Sequence, residues 1–195
     1  MKLLGRHTAV FGLKGQGKSN WIQWVVSDHE AYRNTLAYDV CREHAVLDRY
    51  LPEYRSGDKA RAELGQVVSQ FITNNHRSLR PDLFVIEEAS RVAPNGGGAA
   101  DELMDLVDLA RHYGTGIMLC ARRPAKVDTN LVEMADNIIV FNLRGKNDVK
   151  RLNNEAPGAG DAAKKLSDYE YLRIDSGREW TRHSAVPEMD TTGRL

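Results

Sequence analysis

Cysteine is scarce. Cys41 and Cys120 are the only two in 195 residues, which excludes a disulfide scaffold and makes a reducing compartment the expectation. Cys120 lies in an apolar run and reads as a small buried hydrophobe. Charge of one sign is lacking too. Lys+Arg 27 against Asp+Glu 27 gives zero formal net charge, so a chain-wide basic coat is excluded and any contact with nucleic acid must come from locally clustered charge. No apolar run approaches the roughly 18 residues of a membrane span. The opening MKLLGRHTAVFG brings Lys2, Arg6 and His7 before any apolar stretch long enough for a signal peptide. A soluble protein is expected. The one low-complexity patch, Gly96 to Gly98, reads as a mobile loop, and no internal repeat is present.

The chain does have enough apolar residues, 42% of 195, to fill the core of one α/β domain. Five β-rich runs stand out: His7 to Phe11, Thr35 to Tyr38, Leu83 to Ile86, Gly116 to Ala121 and Asn137 to Leu143. Most are continuously apolar, as strands buried on both faces of a parallel sheet are. Helical spacing separates them: Ala60, Leu64, Val67, Val68, Phe71 and Ile72 in one stretch, Leu103, Leu106, Val107 and Ala110 in another. The alternation predicts a doubly wound, mainly parallel sheet. Tyr169 to Ile174 and Glu179 to Ser184, split by Asp175, Ser176 and Gly177, predict a C-terminal β-hairpin. The expected organisation is a single domain over 1–185 and a flexible tail over 186–195. Trp21 and Trp24, at helical spacing, read as core.

The strongest chemical signal is Gly12-Leu13-Lys14-Gly15-Gln16-Gly17-Lys18-Ser19, directly after the strand HTAVF and before the helical run SNWIQWVV. It is a complete G-x-x-x-x-G-K-[ST]. Its glycines let successive N–H groups turn inward onto phosphate oxygens, and the following helix presents its positive end to the same anion. Residues 12–19 with Asn20 are the expected nucleotide-binding set. Lys18 reaches the β and γ phosphates, and the Ser19 hydroxyl ligates Mg²⁺. A dinucleotide fold is disfavoured, because Asn20 stands where the third glycine of G-x-G-x-x-G belongs. A protein kinase would need an H-R-D segment, which is missing.

A second signal is Leu83-Phe84-Val85-Ile86-Glu87-Glu88, an apolar strand ending in two carboxylates. Glu87 is expected to hold the Mg²⁺ shell and Glu88 to orient or deprotonate the attacking water. The usual residue at the first position is Asp, and the longer arm of Glu87 favours contact through water. A strand at Thr35 to Tyr38 lies between phosphate loop and acidic strand, which suits the P-loop division that activates water with a glutamate. No N-K-x-D guanine-reading motif occurs, so ATP is the expected nucleotide.

The stretch Ala110-Arg111-His112-Tyr113-Gly114, an apolar strand, then Arg122-Arg123-Pro124 and Val127-Asp128, resembles the A-R-x-x-G, strand, T-Q-R-P, V-D segment of the HerA/FtsK superfamily of DNA-pumping ATPases. Residues 135 to 148 look like that family's last core strand and its exit. With the P-loop and the acidic strand, the resemblance covers most of residues 7 to 175. It implies a RecA-like P-loop NTPase. It also implies that Arg111 reaches into a neighbouring subunit's site, and that Arg122 stands in place of a γ-phosphate-sensing glutamine. A bare core of this size is similar to the genome-packaging ATPases of tailless icosahedral viruses with an internal membrane.

The resemblance therefore implies an Mg-dependent ATP hydrolase that pumps double-stranded DNA into a preformed capsid. It would work as a homo-oligomeric ring, a hexamer, in the host cytoplasm, with a capsid-vertex or membrane protein as partner. Lys18, Glu88, Arg111 and Arg122 are its expected catalytic residues. Arg123, Lys126, Lys146, Lys150 and Arg151, with Arg144 nearby, are candidate DNA contacts. Asp39, at the end of its strand, is left unassigned. The rival readings are a HerA/FtsK-type transfer or repair motor, a nucleotide-switched assembly factor, and a small-molecule kinase.

Overall fold

The computed structural model describes residues 5–28, 34–42, 44, 47–73 and 80–189. The apolar runs pair edge to edge. In chain order the strands are β1 (His7–Phe11), β2 (Thr35–Tyr38), β3 (Asp48–Tyr50), β4 (Leu83–Ile86), β5 (Gly116–Ala121), β6 (Asn137–Val140), β7 (Tyr171–Ile174) and β8 (Trp180–His183). They form one sheet in the order β3-β2-β4-β5-β1-β6-β7-β8. Six strands run parallel, while β7 and β8 add antiparallel at one edge. The strand that separates β1 from β4 in space is β5. The strands between them in sequence, β2 and β3, lie beyond β4.

Among the described residues, six α-helices cover the sheet: α1 (Lys18–Asp28), α2 (Gly57–Thr73), α3 (Asp101–Tyr113), α4 (Thr129–Glu133), α5 (Lys146–Glu155) and α6 (Ala159–Ala163). Alternation along each strand divides the core. Ala9, Phe11, Phe84, Ile86, Ile117 and Leu119 face the apolar stripes of α2 to α6. Val10, Val85, Met118, Cys120 and Ile139 face Trp21, Ile22 and Val25 of α1. Nearly all these side chains are fully buried, each contributing roughly 1.5–3 kcal/mol if large and apolar. The predicted periodic residues of α2 and α3 are buried as expected, although the side chain of Ile72 lies outside the described residues.

Four of the five predicted central strands match their expected ranges. The fifth ends at Val140, because the chain turns there to serve the phosphate loop: Phe141 N–H donates to Phe11 O at 2.8 Å, and Asn142 O accepts from Leu13 N–H. The predicted hairpin is present as β7 and β8. The edge strand β3 was not expected, and its three residues, all exposed, carry no alternation to betray it. The expected tail is tied down over its first part. Asn20 Nδ2 donates to Pro187 O at 3.0 Å, and Met189 N–H donates to Asn20 Oδ1 at 2.7 Å. Residues 190–195 lie outside the described residues. Among the described residues, no helix is long and apolar enough to cross a membrane.

At the opposite end of β1 from the phosphate loop, His7 is 2% exposed. Its Nε2–H donates to the Leu131 carbonyl at 2.6 Å. Burial lowers its pKa below the ordinary 6.5, outweighing the Leu131 hydrogen bond and the Asp136 charge that raise it. The unfolded chain therefore takes up a proton that the fold refuses, and stability falls as pH drops below about 6.5. Urea midpoints measured between about pH 7.5 and about pH 5.5 should fall less in His7→Gln, which keeps an N–H donor but cannot titrate. Equal falls in parent and variant would refute this.

Candidate active site

The phosphate loop, residues 12–17, connects the end of β1 to α1. Gly12, Gly15 and Gly17 have φ of 154°, 77° and 97°, values that side chains rarely adopt. A Cβ on Gly12 would stand 2.5 Å from the Phe141 Cβ, and one on Gly17 3.1 Å from the Tyr169 ring. Gly12 N–H donates to Ala121 O at 3.3 Å and Leu13 N–H to Asn142 O at 3.1 Å. The loop thus hangs between the end of β5 and the chain leaving β6. Lys18, 8% exposed, arches back so that Nζ donates to Leu13 O at 3.1 Å. Ser19 follows in the first turn of α1, whose free N–H groups favour an anion.

Glu87 and Glu88 close β4, and Glu87 N–H still bonds Tyr38 O at 3.1 Å. Glu87 is 2% exposed and accepts from His44 Nε2 at 2.8 Å. His44, fully buried, donates its own N–H to Asp39 Oδ2 at 3.1 Å. The previously unassigned Asp39 therefore anchors the residue that orients Glu87. The Cys120 thiol is also close. Burial first, and the neighbouring Glu87 carboxylate second, push its pKa well above the ordinary range. Cys120 is the buried hydrophobe expected, packed beside Glu87.

Glu88 takes a left-handed backbone, φ 48° and ψ 50°, at a cost of order 1–3 kcal/mol. That turn aims its carboxylate at the end of β5. Arg122 Nε lies 3.1 Å from Glu88 Oε2, and Ser90 Oγ donates to Oε1 at 3.3 Å. A cleft of about 300 Å³ brings together Lys14, Lys18, Ser19, Glu87, Glu88 and Arg122. Such a cleft can cradle a polyphosphate with backbone N–H groups and a lysine, facing a carboxylate held by arginine.

Arg111 is elsewhere. It sits in the last turn of α3, near the start of β5, and pairs with Asp136 at 3.3 Å. β5 has six residues, so Arg111 is on the order of 20 Å from the cleft of its own chain. Arg6 also pairs with Asp136. Burial alone would raise the Asp136 pKa, but the His7 N–H and the two arginines outweigh it and hold it low.

The basic candidates divide. Lys126, Arg144, Lys146 and Lys150 are exposed on the same sheet edge as the phosphate loop. Arg123 joins them but is bound to Asp148 at 3.0 Å. Arg151, expected among the DNA contacts, is instead engaged within the fold: it pairs with Glu155 at 2.8 Å and Glu133 at 3.4 Å and donates to Thr129 O. The Gly96 to Gly98 loop is stapled at its base. Pro94 bridges Val127, and Asn95 N–H donates to Lys126 O at 3.0 Å.

Sequence reasoning missed His44, Tyr169 and the clamp made by Asn20. The sequence reading places Tyr169 at the start of the hairpin's first strand, whereas β7 begins at Tyr171 and leaves Tyr169 in the turn before it. Nothing local marks His44, which comes to Glu87 only through folding.

The fold is that of a P-loop NTPase. No protein-family model matches the chain, and no curated protein sequence matches it. Solved structures do. The genome packaging NTPase B204 of Sulfolobus turreted icosahedral virus 2, in complex with AMPPCP, superposes with a TM-score of 0.76 at 18% identity, over 95% of this chain and all of that one. The N-terminal domain of zonular occludens toxin from Neisseria meningitidis gives 0.61 at 12% identity, over 94% and 95%. The pCW3 conjugation coupling protein TcpA gives 0.62 at 15%, over 93% of this chain and 60% of that one. In fold, these neighbours bear out the resemblance to FtsK/HerA-like ATPases read from the motifs.

Removing the imidazole that holds Glu87 leaves a buried carboxylate short of a donor, which costs about 1–3 kcal/mol. His44→Ala should lose roughly that much stability in urea unfolding, and His44→Gln should recover part of it. No difference between parent and His44→Ala would show that this contact does not hold Glu87.

Proposed function

We propose that the chain hydrolyses ATP to drive double-stranded DNA, as the genome-packaging motor of a virus that fills a preformed capsid. The observation that carries the reading is the convergence of Lys18, Ser19, Glu87, Glu88 and Arg122 on one cleft. Support also comes from an end-to-end match in fold with B204, solved as a packaging NTPase in complex with ATP-gammaS and with AMPPCP.

On this reading Lys18 leaves Leu13 O to neutralise the β and γ phosphates, and the loop N–H groups take their oxygens. The Ser19 hydroxyl and the Glu87 carboxylate, both oxygen donors, suit Mg²⁺. Among the described residues no group of three His, Cys, Asp or Glu could cage a metal, which fits an ion that keeps waters and takes phosphate oxygens. When bound, Mg²⁺ would add positive charge beside the transferring phosphoryl group. Glu88 positions or deprotonates the attacking water, for which its Arg122 partner must let go. The terminal phosphate, richer in charge than one carboxylate, draws that guanidinium away.

Arg111 serves a neighbouring subunit, since its own cleft is out of reach. The protomers form a ring, a hexamer, that repeats Arg123, Lys126, Arg144, Lys146 and Lys150 around an axis. A neutral protomer thereby presents concentrated positive charge to the duplex. Work at a capsid vertex in the host cytoplasm, beside a capsid or membrane protein, completes the proposal.

Purified protein should show Mg-dependent ATPase activity that falls about a hundredfold or more in Lys18→Ala and in Glu88→Gln. Duplex DNA should raise turnover at about 50 mM salt and lose most of that effect by about 200 mM. Parent rates in both variants reject the mechanism, and indifference to DNA rejects the motor. Mixing supplies a separate check on Arg111. Lys18→Ala and Arg111→Ala subunits, each inactive alone, should regain part of the activity together, because mixed interfaces pair an intact loop with an intact arginine. No recovery on mixing would remove Arg111 from the site.

A further inference from the structure

A second hollow, of about 330 Å³, adjoins the phosphate cleft. The two share Gly17, Ser19, Asn20 and Tyr169, so a ligand whose phosphates fill one extends directly into the other. Phe141 and Tyr169 give the hollow aromatic surface, and Val186 and Met189 supply its far wall. Gln23 and Glu188 also line it, so it offers a flat ring both apolar and polar contacts beside the cleft that carries Lys14, Lys18, Glu87 and Glu88.

Two independent features mark this hollow as built. Tyr169 is 54% exposed although its φ is 66°, a conformation that a residue with a side chain adopts only against steric resistance. The turn that presents it is fixed to the loop and to itself: Gln16 Nε2 donates to Asp168 Oδ1 at 3.2 Å, and Ser167 N–H donates to Glu170 Oε2 at 2.8 Å. An aromatic ring is thus held out against Gly17 with no core to fill. On the opposite side, one amide grips the chain twice. Asn20 Nδ2 donates to Pro187 O and Asn20 Oδ1 accepts from Met189 N–H, and Met189 is 7% exposed as a result. Asn20 directly follows Ser19, so the clamp sits one residue from the proposed metal ligand.

We infer that this hollow seats the nucleotide's aromatic base, with Tyr169 as its stacking platform and residues 186–189 as a strap that Asn20 holds over it. The inference rests on the reading that the loop binds a triphosphate. It adds to that reading where the base goes and why the chain returns to α1 after the hairpin. Every base has a π-face, so the platform adds affinity whichever base is bound.

The test compares a hydrolysis-resistant ATP analogue, AMPPNP, with inorganic tripolyphosphate, each with Mg²⁺, binding to the parent, Tyr169→Ala, Tyr169→Phe and a chain lacking residues 187–195. Tyr169→Ala should weaken AMPPNP about tenfold or more and leave tripolyphosphate unchanged, whereas Tyr169→Phe should bind both like the parent. Loss of the strap should weaken AMPPNP alone. Tripolyphosphate also reports that each variant is folded. If AMPPNP binds Tyr169→Ala and the shortened chain as tightly as the parent, or if tripolyphosphate weakens in step with it, the base lies elsewhere and this inference is overturned. A parent that binds neither ligand would instead overturn the triphosphate reading beneath it.

Discussion

Two backbone hydrogen bonds hold the phosphate loop in shape, from Gly12 N–H to Ala121 O and from Leu13 N–H to Asn142 O. They exist because β1 lies between β5 and β6 in a parallel sheet, so three strand ends point the same way and the loop leaving the middle one finds a partner on each side. This is the switch point at which open α/β sheets bind ligands. A loop hung from both neighbours cannot collapse onto its own empty centre, and its glycines are free to face their N–H groups inward. The same parallel order brings β4 up on the far side of β5, delivering Glu87 and Glu88 to the cleft. The positions of the lysine, the carboxylates and Arg122 all follow from this one packing decision.

The Glu88–Arg122 pair has a place in the chain that gives it leverage. Glu88 opens the segment running through Ala93 to Pro94, and Arg122 opens the segment running to Val127. These two arms meet again at the Pro94–Val127 bridge, where Asp128 N–H donates to Ala93 O at 2.9 Å and Asn95 N–H to Lys126 O. Asn95 Nδ2 adds a bond to Ala125 O. The ion pair is the labile end of this closed figure and the stapled end is the rigid one. A ligand that separates the pair opens one end of this figure, while the Pro94–Val127 bridge keeps the two arms joined at the base of the Gly96 to Gly98 loop. Guanidinium differs from an amide here because it only donates, and a carboxylate and a phosphate are both acceptors for it.

What the sequence disclosed, and what it hid, divides along the range of the interactions. Continuous apolar runs are forced on strands buried on both faces, so β1, β2, β4 and β5 were legible to the residue. The phosphate loop was legible because its glycines, lysine and serine act within eight consecutive residues. β3, with charged and exposed residues, obeys no burial pattern, and α5 exposes Lys146 and Lys150 while Leu152 is the apolar one of its buried residues Asp148, Leu152 and Glu155. The contacts that finish the site were invisible for a different reason. His44 meets Glu87 across 43 positions, and Asn20 meets Met189 across 169. Neither has a local spacing to read. Arg151 sits in a basic run that reads as surface, yet Glu155, one turn further along α5, and Glu133, at the end of α4, enclose it.

The placement of Arg111 argues about assembly more strongly than its sequence match does. A side chain fixed at the N-terminal edge of the strands cannot cross the sheet to a cleft at the C-terminal edge, and its tie to Asp136, shared with Arg6, leaves it half-committed even where it stands. Seventy per cent of its side chain is nevertheless exposed, and an exposed ion pair of this kind holds by about 1 kcal/mol or less. A neighbouring subunit's phosphate could therefore outbid Asp136 at little cost to the fold. An isolated protomer then supplies, on the proposed reading, the loop, the carboxylates and Arg122, and the second arginine comes from another protomer stacked edge to edge. On the proposed reading, catalysis and ring closure are one requirement: charge neutralisation at the γ-phosphate is incomplete until the opposite edge of another copy arrives.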